Sequence, residues 1–336
     1  MTDADVNESL IGSARTSVES EMALEREILV EHETAPAGGQ VSGGSSMFRQ
    51  MFRVFIHNKL AVISAVYILI LIVLCVIVPN FYSQGYWLNA PNELNSSCYA
   101  GGSNLGMAGP SLAHIFGCTQ GIDNWGLLFY AGRYSLSIGM LAAAVNMTLG
   151  VGWGIFAGFR GGKIDAVMMR IIDVFLSIPG LYLLLLVITL YGESLWALVW
   201  VIGFTGWFGV SRLMRSEAQV LREREYVQAS TSMGATRSRI MWKHILPNGA
   251  STMITAGTFA VGDAVLTLST LGYLGLGLKP PEFDWGTMIQ NGVSWFEIGD
   301  WWSLWPVAIV FILFVLSTNY IGDALRDAFD VRLTQR

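Results

Sequence analysis

Residues 60–78 pass without a single charged side chain, and that run constrains the fold more than any other feature. A helix crossing the hydrocarbon core of a bilayer needs about 20 mostly apolar residues. Lipid offers no partner for backbone N–H and C=O groups, so a run of this kind must close its hydrogen bonds internally as a helix. Comparable runs recur at 135–157, 171–191, 195–213, 250–271 and 302–321. The chain therefore reads as an all-α polytopic membrane protein with about six transmembrane helices. Composition agrees, with 53% hydrophobic and 13% charged residues, where soluble domains carry about 25% charged residues.

The formal net charge of −5 is set by the N-terminus. Residues 1–46 hold nine acidic residues against only Arg15 and Arg26, which leaves the remainder slightly basic. With its Gly/Ser-rich exit at 38–46, this stretch reads as a disordered tail. A short helix over 22–30 has one apolar side in Leu24, Ile28 and Leu29. The first apolar run begins too late, behind too acidic a segment, for a cleavable signal peptide. Residues 47–59 come next. Phe48, Met51, Phe52 and Phe55 fall on one helical face with Arg49, Arg53 and Lys59 elsewhere, the pattern of a helix lying in the headgroup region.

Lysine and arginine placement orients the spans. If the N-terminus is cytoplasmic, the inside segments collect Arg160, Lys163, Arg170, the seven cations between 212 and 243, and Arg326, Arg332 and Arg336. The outside segments hold only Arg133 and Lys279. Both termini are thus expected in the cytoplasm. The division is a tail at 1–46, an interfacial helix at 47–59, and a first span with a long extracytoplasmic loop at 60–134. A transmembrane core at 135–321 contains a charged cytoplasmic loop at 214–248, and 322–336 is a C-terminal tail. Cys98 and Cys118 lie in the outer loop, where disulfides form, and whether they come within bonding distance stays open.

Within the spans, Ala142, Asn146, Gly150, Gly154 and Gly158 place small residues at every fourth position, a stripe that lets another helix approach closely. Pro179-Gly180 should kink the third span, because proline removes a backbone donor. Asp263 lies midway along the fifth span, and an ionisable group at that depth faces a bundle interior or a wet cavity. The loop at 214–248 reads as a short helix, a glycine break at Gly234, a basic helix, and a proline before the next span.

Here the sequence resembles the permease subunits of binding-protein-dependent ABC importers, whose "EAA" loop runs E/Q-A-A/S-x-x-x-G with I-L-P about ten residues on. The match falls on Gln228, Ala229, Ser230, Gly234 and Ile245-Leu246-Pro247, with Glu225 opening the helix. Gln228 stands in place of the acid and Ser230 in place of the second alanine. The resemblance extends over nearly everything after residue 47. Leu274-Gly275-Leu276-Gly277, Pro280-Pro281, Trp285-Gly286, Gly121 to Gly126 and Gly322 to Asp327 are similar to the dipeptide/oligopeptide subfamily, second-permease type. Where that family commonly has a glutamate in the fifth span, this chain has Thr267, with Asp263 one turn earlier.

The resemblance implies an ATP-driven import subunit in a bacterial-type cell membrane, forming half of a pathway for di- or oligopeptides. Its implied partners are a second homologous permease, two cytosolic ATPases that carry ATP and Mg, an extracytoplasmic solute-binding protein, the peptide and membrane lipid, with no nucleic acid. The coupling loop would dock on an ATPase, and Asp263 and Thr267 are candidate pore-facing residues. Relatives for nickel complexes, glutathione or oligosaccharides are the nearest alternatives. No P-loop is present, since Gly161-Gly162-Lys163 is followed by Ile164, so no cofactor is expected on this chain. The four histidines are scattered, which argues against a zinc site. No catalytic residue is assigned. An intramembrane enzyme pairing Asp173 with Asp263 is the rival from another class, and a passive channel would leave the 214–248 loop without a purpose.

Overall fold

The computed structural model describes residues 54–83, 98, 107–112 and 114–334. The acidic tail, the short helix at 22–30 and most of the interfacial segment lie outside the described residues, and of the last only a helical turn at 54–57 is seen. The helices are α1 (Lys59–Ser83), α2 (Asn124–Arg160), α3 (Gly162–Leu176), α4 (Gly180–Tyr191), α5 (Leu195–Arg222) and α6 (Glu225–Ser232). They continue with α7 (Arg237–Ile240), α8 (Leu246–Asn248), α9 (Ala250–Tyr273), α10 (Trp285–Phe296) and α11 (Trp305–Thr334). One antiparallel hairpin, β1 (Cys118–Thr119) and β2 (Ile122–Asp123), precedes α2.

Among the described residues, five helices are long and apolar enough to cross a membrane, and α3 with α4 makes a sixth span if the bent pair is counted as one. The bend is 80°, which is a break rather than the kink that Pro179 predicts. Ile178 donates to Phe175 O and ends α3, and Pro179 then takes an extended ψ of 122° and starts α4. Proline disfavours helical geometry in the residue before it and has no N–H to continue the ladder. Nothing here forces the two halves back into line.

Two other spans outrun their apolar runs. Helix α2 has 37 residues, about 55 Å at 1.5 Å per residue, well beyond a hydrocarbon core of about 30 Å. It begins where a cap allows, with the Asp123 carboxylate accepting from Trp125 N at 2.9 Å, not where hydropathy rises. Helix α5 continues through Arg212 to Arg222 because those cations find partners, described below.

Helix α2 is the central post, and α5 packs along it through the small-residue stripe. A side chain at Gly150 would sit 2.7 Å from Val210 Cβ, one at Gly154 would strike Ser211 O, and one at Gly158 would strike Arg215 O. Small residues on α5 answer them: Gly203 lies against Ala142 O and Val145, and Gly206 against Asn146 Nδ2. Ser211 Oγ donates to Gly150 O at 3.3 Å. The opposite flank of α2 meets α1, α9, α10 and α11 in a cluster built on Trp285, which is fully buried. Its indole donates to Leu128 O at 3.0 Å and its ring meets Phe314 edge-on at 5.7 Å. Truncating a buried tryptophan to alanine costs about 3–5 kcal/mol, and this one residue ties α10 to α2 and α11.

Candidate functional site

The segment between α5 and α9 stands on three apolar anchors. Val227 of α6, Ile240 of α7 and Ile245 are each 1% exposed and pack against Val151 and Ile155 of α2 and Met214, Ala218 and Leu221 of α5. The rest of α6 is exposed, apart from half-buried Ser230. Ser230, Thr231 and Ser232 each donate a hydroxyl to the carbonyl four residues back, at 2.8, 2.8 and 3.1 Å. Gln228 Nε2 donates to Glu223 O at 3.1 Å, tying the helix to the turn that enters it. With its polar groups satisfied internally, α6 offers a short-chained ridge that includes Ala229, with Glu225 placed favourably at the positive end of the helix dipole.

Gly234 ends this helix in the left-handed region, at φ 81°. Gly234 N donates to Thr231 O at 3.0 Å and Ala235 N to Ser230 O at 3.1 Å, the paired bonds of a Schellman motif, for which glycine is preferred. No atom lies within 4 Å of where a Gly234 side chain would begin. Thr236 caps α7, and a π-helical turn at Met241–Ile245 leads into α8, just ahead of Pro247. Of the residues assigned to docking, Glu225, Gln228, Ala229, Gly234 and Pro247 are exposed and Ser230 is half-buried. Ile245 is buried and Leu246 packs on the same anchor cluster. Met233 and Trp242, 81% and 68% exposed, complete the outward surface. The sequence reading passed over both, although a large apolar side chain in a charged loop is a signal.

On α9, Asp263 is exposed and makes no ion pair among the described residues, while the helix buries Gly262, Ala264 and Val265 beside it. Thr267 Oγ1 donates to Asp263 O at 2.7 Å, and Thr270 lies one turn further on the same side. Asp173 is taken by Arg212 of α5 in an ion pair. No hydrogen bond among the described residues joins Asp173 to Asp263, and an acid–base dyad would need one.

A cap closes the other end of the bundle. Gln120 and Gly121, at φ 54° and 77°, form the two-residue turn between β1 and β2, the geometry of a type I′ hairpin. Cys98 and Cys118 are disulfide-bonded with Cα atoms 5.8 Å apart, and both are buried. His114 Nδ1 hydrogen-bonds Asp123 Oδ2 at 3.1 Å, and Thr119 Oγ1 donates to Asp300 Oδ2 at 3.1 Å. Cys98, His114 and Cys118 bring three donor atoms within 4.8 Å of one another, but the sulfurs are spent on each other. In the adjoining loop Asp284 caps α10 and accepts from Leu278 N. Burial holds its carboxyl above the ordinary range, against those hydrogen bonds, which pull it down.

Closing a loop across 20 residues is worth about 3 kcal/mol in the chain-entropy account. Changing both Cys98 and Cys118 to serine should therefore lower stability by up to about that amount and free the loop the bond closes. Limited proteolysis is expected to cut that loop at least tenfold faster while the bundle's thermal midpoint moves by a few degrees. Unchanged cleavage would show that the hairpin contacts suffice without the bond.

Residues 150–335 match the family of binding-protein-dependent transport system inner membrane components. The chain belongs to that family. Residues 46–96 match the N-terminal transmembrane domain of oligopeptide transport permease C. The chain is 32% identical over 289 residues to the oligopeptide transport system permease protein OppC of Bacillus subtilis, covering 86% of this chain and 90% of that one. It is 34% identical over 277 residues to the dipeptide transport system permease protein DppC of the same organism, covering 82% and 83%. The glutathione transport system permease protein GsiD of Pectobacterium atrosepticum is 30% identical over 287 residues, covering 85% and 91%. Among solved structures, an inward-facing form of the MetNI methionine ABC transporter superposes with a TM-score of 0.50 at 19% identity, over 60% of this chain and 96% of that one. That likeness is one of fold.

Proposed function

We propose that this inner membrane component is the transmembrane half-pathway of an ATP-driven peptide importer, completed by a second homologous permease. Two cytosolic ATPases grip the exposed ridge of α6, and an extracytoplasmic binding protein delivers the peptide. Both termini and residues 223–249 lie in the cytoplasm, and the disulfide cap lies outside, as the bias of lysine and arginine supports. The relatives named for oligopeptide and dipeptide support the cargo class, and the relative named for glutathione keeps the alternative within the same family. ATP and Mg act on the partners, and this chain's part is mechanical.

The observation that carries this reading is the glycine-terminated α6, presented outward on buried Val227, Ile240 and Ile245. A ligand or partner moves a protein only by favouring one of its states. An outward ridge rooted by apolar contacts in two spans is suited to passing such a bias inward. A photocrosslinker at Met233 or Trp242 in the native membrane should capture a nucleotide-hydrolysing subunit. Capture of nothing that hydrolyses ATP, with the crosslinker shown to be reactive, would overturn the reading.

Asp263 gives the peptide reading chemical content. Its carboxylate, exposed on α9 beside Thr267 and Thr270, faces the pathway and meets the protonated amino terminus of the cargo. A charge-assisted hydrogen bond is worth about 1.5–3 kcal/mol, which is about tenfold or more in affinity. Asp263→Asn should raise the half-saturating concentration for transport of free-amino peptides by about that factor and leave N-acetylated peptides unchanged. Equal effects on both cargo forms would assign Asp263 to helix packing.

A further inference from the structure

The C-terminal half of α5 has two working sides. Met214, Ala218 and Leu221 support the coupling segment through its apolar anchors. Arg212, Arg215, Gln219 and Arg222, spaced three and four apart, share another side; the first three reach α3, and Arg222 reaches the end of α2. Arg215 holds Asp165 with two prongs, Nε to Oδ1 at 2.5 Å and Nη2 to Oδ2 at 2.6 Å. Gln219 Nε2 adds a bond to Asp165 Oδ2 at 3.3 Å, Arg212 pairs with Asp173, and Arg222 Nη1 donates to Phe159 O at 3.3 Å.

Helix α3 buries only Asp165 and Ile172 outright; Ile172, with half-buried Met169 and Phe175, packs against Trp207 and Phe208 of α5, so apolar contact and paired charge together hold α3 to α5. Both its ends are jointed. Gly161 and Gly162, at φ 64° and 58°, separate it from α2, and the 80° break separates it from α4. A segment with a joint at each end and an ionic grip in between can shift as one body. The grip is on the same stretch of α5 that supports α6.

We propose that α3 is a lever driven by α5 through the Arg215–Asp165 and Arg212–Asp173 pairs, carrying movement of the coupling segment to α4. The four charged residues are positioning residues: they touch no cargo and no nucleotide. This rests on the reading of α6 as the ATPase-docking ridge. A two-pronged guanidinium–carboxylate pair fixes distance and angle together, which the apolar contacts of Ile172, Met169 and Phe175 alone do not. A buried charge left without its partner is strongly disfavoured, so α3 must follow α5 or pay heavily for staying behind.

The test uses the assembled transporter in proteoliposomes, reading peptide taken up per ATP hydrolysed. Arg215→Gln should assemble with its partners and hydrolyse ATP, while uptake per ATP falls about tenfold, within the 5–150-fold range of ordinary site-to-site coupling. Exchanging the charges, Asp165→Arg with Arg215→Asp, should recover most of the loss. Arg215→Lys keeps the charge without the fork and should fall between the two, which decides the matter if the exchanged chain does not assemble. Nitroxides at the exposed positions Val167 and Leu213 should report one distance in the native complex across nucleotide states and a spread of distances in Arg215→Gln. Native uptake per ATP in Arg215→Gln, or a lysine variant no better than glutamine, would overturn the lever. Absence of ATP-driven uptake in the native complex would instead overturn the importer reading itself.

Discussion

Replacing Gly234 with valine should cut peptide uptake by roughly tenfold or more while the bundle stays folded and inserted. The residue sits at φ 81°, where an L side chain costs about 1–2 kcal/mol and a β-branched one is a clear outlier. A valine would relieve that strain by abandoning the left-handed turn. The bonds from Gly234 N to Thr231 O and Ala235 N to Ser230 O would go with it, releasing the end of α6 from α7. The bundle is spared because no atom lies within 4 Å of where the new side chain begins. Asparagine separates conformation from contact. It enters the left-handed region more readily than other side chains, so Gly234→Asn should keep uptake within a few-fold of native. If asparagine is as damaging as valine, the ATPase must be closing on bare backbone at this position, and the requirement is for contact. Uptake and cargo-stimulated ATP hydrolysis, measured together on both variants, distinguish these outcomes.

Much of this architecture is legible in the sequence because lipid imposes a simple rule. Apolar length gives the spans, and the stripe from Ala142 to Gly158 gives a close helix contact, which the structure places along α5. What hydropathy cannot give is where a helix starts or stops. The start of α2 is set by the Asp123 cap, and the end of α3 by Ile178 and Pro179. Proline predicts an interruption, but whether the chain resumes in line depends on what the second half packs against. The ionic grip on α3 was invisible for a different reason. Asp165 and Arg215 are 50 residues apart, and charges counted for membrane sidedness are not examined for pairing. The coupling segment was legible as a motif and less so as an object. Ile245 and Leu246 carry the resemblance, yet Ile245 is an anchor, because segments as short as α7 and α8 have too few turns to show which face is apolar.

A large loss of stability should come from Gly154→Val on α2. Its side chain would strike Ser211 O and lie 2.8 Å from Met214 Cβ, and neither can rotate away, one being backbone and the other a β-carbon. Helix α5 would have to retreat along a seam that Gly150 and Gly158 also need closed. Overpacking a tight core costs about 1–3 kcal/mol and sometimes more, and retreat here would also open the contacts of Trp207, Val210 and Ala218 with α2. Gly152, two residues away, is the internal control. Nothing lies within 4 Å of its would-be side chain, and alanine in a helix interior gains about 0.5–1 kcal/mol over glycine. Gly152→Ala should therefore hold or raise the thermal midpoint of the purified chain, while Gly154→Val lowers it sharply or prevents accumulation in the membrane. Equal stability of the two variants would mean that α2 and α5 do not meet in this register. The lever on α3 would lose its footing too, since Arg212 and Arg215 are aimed by that seam.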